Sequence, residues 1–479
     1  MAKISVAIIT KDEGKRLADA LRSVEWADEV VVVDSGSSDN TLDVAKGFTD
    51  KVYARQFDDF SSQKNFAASK CSNEWVFSLD ADEVVSEGLR DMILSAAAYP
   101  GEYSAFSVRR VNRLFGKVLS HSAGADYPVR LFIKDKASFR QPIHEYLKVD
   151  GKTGRLEGEL MHNSTQSIRS EYEKTDMYTD MEARWMLENN MKPGIFKFLV
   201  YPFLMFIKLY FFKLGILEGK EGLVYAFVSA RYSYVKYAKA RRLAKDPKYL
   251  EDIISGRFNV LSESFPDAID PSDFRVRGLI NNFQGIKGKR ILEIGCGKGR
   301  FTGYMSEIGG VAVGTDISEK LLQVAVKKNK GEYIKASATD LPFGDNTFDC
   351  VFSVEVVEHL PEIGKMMEEA ARVLKPGGIF LTIDKNIFSI NNKRLLVPNV
   401  LIKKYHEKKN DWMYPKGFAF TEKWFLKREL SGMLLEKFNN VEAEYLLSDS
   451  ERDSKISFLF KKVPASRHFI LWKAVGPKK

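Results

Sequence analysis

The chain has 479 residues, 44% of them hydrophobic and 29% charged, with a net charge of +9. These values exclude a disordered polypeptide and a protein embedded throughout in membrane, and the length calls for two or three domains rather than one core. The positive excess is local: residues 192–248 hold twelve Lys/Arg against three Asp/Glu, so the rest of the chain is balanced. That pattern, without any nucleic-acid motif, argues against nucleic acid as a partner. Cys71, Cys296 and Cys350 are far apart and form no metal-ligand spacing, as expected in a reducing compartment.

From the N-terminus, ISVAIIT, EVVVVDS, KVYAR and EWVFSLD predict strands, and GKRLADALRSV, NTLDVAKGF, SQKNFAASKC and EGLRDMILSAAA predict helices. Such alternation predicts an α/β domain with a mostly parallel sheet. The first apolar run is too short for a secretory signal and reads as a strand, which places the protein in the cytoplasm. Residues 101–165 are richer in strands and suit a mixed-sheet extension. In open α/β sheets ligands sit beyond the C-terminal strand ends, and three such ends here are polar: Thr10–Glu13, Asp34–Ser35 and Asp80–Asp82. Asp80 and Asp82 stand two residues apart after an apolar strand, so strand alternation sets both on one face, where like charges invite a cation. Asp39, with Thr41 nearby, suits a helix cap, and Ser86 suits the cap of the helix after Glu83.

VVDSGSSDNT followed by Asp80-Ala81-Asp82, then YPVRLF, PIHEYL and LMHNS, resembles the family 2 glycosyltransferases of the GT-A fold. SSQKNF and the later stretches resemble the lipopolysaccharide-core β-1,4-glucosyltransferase branch. The resemblance implies an inverting hexosyltransferase with a nucleotide-sugar donor, UDP-linked, and a divalent cation, Mg²⁺ or Mn²⁺, held by hard oxygen ligands. It gives Asp82 to the metal, Asp80 to the metal and ribose, and His162 as a candidate third ligand or a structural histidine. Asp34, with Ser35 beside it, is expected at the base. Lys64 is a candidate for the diphosphate or a solvated helix lysine, and Arg130 is expected at the diphosphate or at an acidic acceptor. Glu145 is the expected base for the acceptor hydroxyl, with Asp126 the alternative.

IFKFLVYPFLMFIKLYFFKLGIL, residues 195–217, is long enough to span a bilayer, but Lys208 near its middle and Lys197, Lys213 and Pro202 oppose insertion. The pattern predicts helices lying on an anionic membrane surface, with RYSYVKYAKARRLAK continuing the same face, or else a buried helix pair.

A second βα alternation begins at GKRILEIG. ILEIGCGKGRF carries Gly295, Gly297 and Gly299 with Glu293 in the strand, and position 300 is Arg rather than the last glycine of a dinucleotide fingerprint. With GTDIS, ASATDLPF, FDCVFSVEVVEHL and RVLKPGGIFLTID in order, the half resembles the class I S-adenosylmethionine-dependent methyltransferases. The resemblance implies a Rossmann-like fold and S-adenosylmethionine as cofactor. The glycine loop and Glu293 are expected at its amino-acid end, Asp316 at the ribose, and Asp340 with Leu341 at the adenine. His359 is a candidate general base or a helix cap. Residues 384–425 are expected to form a lid or acceptor-binding insertion.

The expected organisation is a glycosyltransferase domain over 1–190, a membrane-associating helical segment over 191–246 and a methyltransferase domain over 247–479. The expected activity is sugar transfer to a lipid-bound cell-surface glycan precursor, such as lipopolysaccharide core, with methylation of that glycan, at the inner face of the cell membrane. The alternative is a methyltransferase domain that acts on an unrelated substrate or only docks a partner.

Overall fold

The computed structural model describes residues 2–114, 117–141, 145–165, 168–283, 285–393 and 397–478, with the backbone alone over 164, 165 and 168–174. Pro142, Ile143 and His144 of PIHEYL, and Arg394, Leu395 and Leu396 of the 384–425 insertion, lie outside the described residues. The chain divides into two compact units, residues 1–185 with 193–240, and residues 186–192 with 241–479. Residues 193–240 therefore fold with the N-terminal unit rather than standing apart.

The N-terminal unit is built on β1 (Ile4–Thr10), β2 (Glu29–Asp34), β3 (Val52–Ala54), β4 (Trp75–Asp80), β5 (Glu83–Val85), β6 (Tyr103–Leu114), β7 (Lys117–Val118), β8 (Ala125–Asp126), β9 (Val129–Ile133), β10 (Ala137–Arg140), β11 (Tyr146–Val149) and β12 (Lys152–Thr165). The main sheet runs β3-β2-β1-β4-β9-β6-β12-β5. The β3-β2-β1-β4 half is parallel, whereas β9 runs antiparallel to both β4 and β6. EVVVVD is buried at all six positions, as a parallel strand covered on both faces requires. Leu17, Ala20 and Leu21 pack the first helix, Gly14–Arg22, onto the core at helical spacing.

Residues 195–217 form short pieces rather than one helix: Ile195–Leu199, Tyr201–Ile207 with Pro202 in its first turn, a π turn at Lys208–Phe212 and a 3₁₀ turn at Gly215–Glu218. Among the described residues no helix is long and apolar enough to cross a membrane. Ile195, Phe196, Leu199, Phe203, Phe212 and Leu217 are exposed, Phe212 at 82%. Glu218, only 4% exposed, accepts the backbone N–H groups of His121 at 2.8 Å and Ser122 at 3.1 Å, and the Ser122 hydroxyl. Lys117 Nζ donates to the Glu218 carbonyl oxygen at 2.9 Å. The helix Lys220–Leu243 corrects the expectation that the basic face continues along it. Lys236 pairs with Glu182 at 2.9 Å, Lys239 pairs with Asp176 and Asp180, and the Tyr232 hydroxyl donates to Glu182. Those lysines are matched by the acidic side of the helix Ile168–Glu188.

The C-terminal unit is built on β13 (Arg290–Ile294), β14 (Val311–Asp316), β15 (Glu332–Lys335), β16 (Phe348–Val354), β17 (Leu374–Lys385), β18 (Phe438–Leu446) and β19 (Phe469–Pro477). Its sheet runs β15-β14-β13-β16-β17-β19-β18, parallel except for β19, which is antiparallel to both neighbours. The order reverses direction at β13, with β14 on one side and β16 on the other. That switch point is where an open α/β sheet leaves a crevice beyond its strand ends.

Candidate active sites in the two units

In the N-terminal sheet Thr10 pairs in register with Asp34, and Ile9 with Asp80, so the two carboxylates flank the end of β1. Asp34 is buried and serves its own turn: Oδ2 accepts the N–H groups of Gly36 and Ser37 at 2.9 Å each, and Oδ1 accepts the Ser37 hydroxyl. Ser35 Oγ accepts from Gln63 Nε2 at 2.9 Å. Among the described residues Gln63 Oε1 and Thr10 Oγ1, buried beside these strand ends, have no hydrogen-bond partner, polar atoms that a nucleoside could engage. Asp39 accepts from Thr41 and from Gly14 N–H, and Ser86 accepts from Leu89 N–H as a helix cap.

β4 ends at Asp80, and Ala81–Asp82 turn away before β5, so the alternation expected to set both carboxylates on one face is interrupted. Each has its own partners. Asp80 is clasped by Lys64 Nζ and by Arg130 Nη2, at 2.7 Å each. Burial opposes its charge, but Arg130 and Lys64 outweigh burial and hold the carboxyl well below the usual range. Lys64, itself 4% exposed, also reaches Glu145 Oε1 at 2.7 Å. One ammonium thus joins the donor-side acid to the candidate base. Glu83 is fully buried and accepts from Arg130, from Arg110 at 3.3 Å and from the Asp80 N–H at 3.0 Å, which makes it the structural hub of the cluster.

Asp82 Oδ2 lies 3.5 Å from His162 Nε2 and 3.5 Å from Arg16 Nη1. His162 Nδ1 faces Asn112 Oδ1 at 2.8 Å, a contact that orients the ring with Nε2 toward Asp82. One carboxylate and one oriented imidazole fit a hard divalent cation whose remaining ligands come from phosphate and water. Among the described residues no group of three or more His, Cys, Asp or Glu side chains is arranged to hold a metal ion by itself. Asp126 is held by Arg110 through two bonds, at 2.9 and 2.6 Å. Burial opposes its charge, but Arg110 pulls the carboxyl below its usual range. The sequence gives no sign of Arg16, Asn112 or Tyr178 here. Tyr178 stacks on Phe60 at 5.2 Å, and its hydroxyl is pushed up by burial and then by Asp80, Asp82 and Glu145.

In the C-terminal unit a cavity of about 440 Å³ opens beyond β13, β14 and β16. The glycine loop forms one wall. Gly295 has φ +72°, and a Cβ there would strike the Val356 side chain, so only glycine fits. The loop is pinned by Gly297 N–H on Asp316 Oδ2 at 2.8 Å, while Asp316 Oδ1 accepts the Ser318 N–H at 2.8 Å. Burial pushes the Asp316 carboxyl up. Glu293, 2% exposed, accepts the Thr302 N–H at 2.7 Å and its hydroxyl; burial raises the carboxyl to about 8, so it is protonated at neutral pH. Glu293, Gly295, Gly297 and Asp316 line the cavity. Gly299, φ +73°, opens the following helix, where a Cβ would meet the Tyr333 ring.

Asp340 is exposed and does not line the cavity, whereas Ser337 and Ala338 do. The expectation for Asp340 is corrected in that respect: the tight turn bridging Ser337 to Asp340 brings the earlier residues to the wall. Leu341 is buried in the core, with its N–H on Glu369 at 2.7 Å. His359 does not cap the following helix. It is buried in the 3₁₀ turn Val357–His359, lines the cavity, and places Nδ1 3.2 Å from the Tyr414 hydroxyl and Nε2 3.4 Å from Glu358. The 384–425 insertion supplies Lys385, Asp411, Trp412, Met413 and Glu422 to the same wall. Lys385 Nζ is enclosed by Glu358 at 2.6 Å, Glu422 at 2.9 Å and Glu355 at 3.6 Å. Glu355 sits at φ +57°, a strained backbone for a residue with a side chain, and pairs with Arg275 at 2.6 Å. All three cysteines are free and buried; burial pushes Cys71 up to about 12 and Cys350 to about 11, which leaves both as inert thiols.

Residues 5–146 match the family model for glycosyl transferase family 2, and residues 292–382 match that for a methyltransferase domain. An uncharacterized glycosyltransferase of Rickettsia typhi is 32% identical over 258 residues, spanning 51% of this chain and 88% of the relative. A Rhizobium meliloti protein named lipopolysaccharide core biosynthesis glycosyltransferase LpsC is 29% identical, spanning 50% of this chain and 94% of that one. Further along, a ubiquinone biosynthesis O-methyltransferase of Aliivibrio fischeri is 31% identical, spanning 31% of this chain and 68% of its own length. The chain therefore belongs to the family 2 glycosyltransferases, and it joins to that enzyme an S-adenosylmethionine-dependent methyltransferase.

Proposed function

We propose that the N-terminal unit transfers a hexose, with inversion, from a UDP-linked donor to a lipid-bound cell-surface glycan precursor, and that the C-terminal unit methylates the same glycan. Asp82 and His162, with Asn112 fixing the imidazole, would hold Mg²⁺ or Mn²⁺. With it bound, the site would supply a cation to neutralise the charge developing on the departing diphosphate. Glu145 takes the proton of the attacking hydroxyl, and Lys64 holds it beside Asp80. Asp34 and Ser35 mark the base end of the donor site, and Arg130 completes its charge balance through Asp80 and Glu83. In the second unit Asp316 and the glycine loop would hold S-adenosylmethionine, which supplies the methyl group. His359 stands at the acceptor side of that cavity.

The exposed apolar side chains of 195–217, interspersed with exposed Lys197, Lys208 and Lys213, favour a peripheral site on the anionic inner face of the cell membrane. The name of the Rhizobium meliloti relative supports a lipopolysaccharide-core acceptor. The observation that carries the combined reading is that each unit holds its own site, with this apolar, lysine-bearing segment between them in the sequence. Two sites on one chain raise the effective concentration of a shared intermediate. Mixing Asp82→Asn protein with Asp316→Ala protein should therefore give less doubly modified glycolipid than the wild type at equal concentration, as read by mass spectrometry. Sugar and methyl that never occur on one molecule would refute the shared acceptor.

A further inference from the structure

We infer that the His359–Trp412 end of the C-terminal cavity is the methyl-acceptor subsite, and that it takes an uncharged, hydroxyl-bearing saccharide and rejects phosphorylated or carboxylated ones. This rests on the reading that the methylated molecule is a glycan. Three carboxylates meet there: Glu355, Glu358, which is fully buried, and Glu422, which is 4% exposed. Facing them is one ammonium, Lys385, which is already bound by all three. Burial opposes the charge of Glu422, but Lys385, and after it His359, hold that carboxyl down to about 2, so it stays an anion at every working pH.

The neighbouring cations are engaged as well. Arg275 is held by Asp273 and Glu355, and Lys298 by Asp267 at 2.5 Å and the Phe265 carbonyl oxygen at 2.6 Å. Lys403, in the insertion, donates to the Glu422 carbonyl oxygen at 2.6 Å and pairs with Glu407. Arg300, at the start of the helix that follows the glycine loop, lines the cavity within the field of Glu293, Glu355 and Arg275. A phosphate or carboxylate brought to His359 would therefore meet three carboxylates that share one ammonium, an excess of negative charge.

A sugar hydroxyl meets the opposite situation. Glu358 Oε2 and Asp384 Oδ1 are both buried without a hydrogen-bond partner among the described residues, and burial and then Glu358 push the Asp384 carboxyl up, so the acceptor oxygen of Glu358 needs a donor from that acid or from a ligand. Phe258 and Trp412 line the cavity beside His359: the Phe258 ring centroid is 5.3 Å from that of His359, and Trp412 Nε1 is anchored on Glu422 at 2.7 Å, while Tyr414 backs His359 from the core. Aromatic rings for the C–H faces of a sugar and carboxylates for its hydroxyls form a saccharide site.

The test uses the full-length protein and two probes of equal length, cellotetraose and tetragalacturonate, with saturation-transfer NMR at pH 7. Trp412→Ala assigns the signal to this cavity. Cellotetraose should give a Trp412-dependent signal and tetragalacturonate a signal at least tenfold weaker. Glu358→Gln, which removes one charge while keeping the side-chain shape, should narrow that preference by about tenfold. Its fold is checked by its melting curve, and the wild-type preference stands as a test by itself. Tetragalacturonate binding as well as cellotetraose through Trp412 would overturn this inference alone. A preference unchanged in a folded Glu358→Gln protein would overturn its electrostatic origin. A Trp412-dependent signal from neither probe would overturn the glycan reading on which the inference rests.

Discussion

Glu293→Gln should make the C-terminal unit more stable at pH 8 and flatten its dependence on pH. In the unfolded chain this glutamate loses its proton near 4.5, and in the folded chain near 8, because burial penalises the charge. Between those values the folded unit carries one proton more than the unfolded one, so stability must fall as pH rises. Each pH unit in that window costs about 1.4 kcal/mol, so the penalty approaches roughly 5 kcal/mol at its upper end and changes by ~2 kcal/mol between pH 6 and 8. Glutamine mimics the protonated acid and keeps an oxygen for the Thr302 N–H and hydroxyl. Chemical denaturation of the full chain at pH 6, 7 and 8, following the transition of the C-terminal unit, should show the variant gaining on the wild type at each step. Parallel curves at all three values would mean that Glu293 is already ionised in the fold, and the burial reasoning would be wrong.

Glu145→Gln should lower sugar transfer about 10²–10⁴-fold, whereas Asp126→Asn, whose carboxylate is committed to Arg110, should stay within about tenfold of wild type; steady-state kinetics separates them. Asp82→Asn should abolish sugar transfer and leave methyl transfer intact, and excess EDTA should do the same to the wild type; full sugar transfer in either case removes the metal role. Phe203→Glu together with Phe212→Glu should weaken flotation with anionic vesicles, and the wild-type binding should fall as salt rises. Glu218→Ala strips the acceptor from the buried Ser122 N–H and from the His121 N–H, and should cost about 1–3 kcal/mol in the N-terminal unit by urea titration.

Both nucleotide folds were legible because their signals are local. EVVVVDS and ILEIGCG state a buried strand and its turn within a few residues, and the order of such blocks carries the rest. Pairings across long stretches of chain were not. Lys64 meets Glu145 from 81 residues away, and Asn112 meets His162 from 50, and nothing in either segment announces the other. The same limit explains Asp340, where a carboxylate near a motif drew the assignment although the turn carries Ser337 to the cavity. Nothing in the sequence singles out Lys385 and Glu422 within the 384–425 insertion, because only the fold collects them around Glu358.

The Glu218 carboxylate has a consequence for inheritance. It sits in the apolar segment, yet its partners are two backbone N–H groups and the Ser122 hydroxyl of the loop before β8, in the sugar-transferring sheet. A backbone N–H survives a change of side chain, so drift of residues 121 and 122 costs only the hydroxyl's bond, while loss of the segment leaves two backbone donors bare. The segment and the sheet are thus one hereditary piece. A shuffled gene could exchange the methyltransferase beyond residue 241, but a graft that took the sheet and left 193–240 behind would begin with a damaged fold.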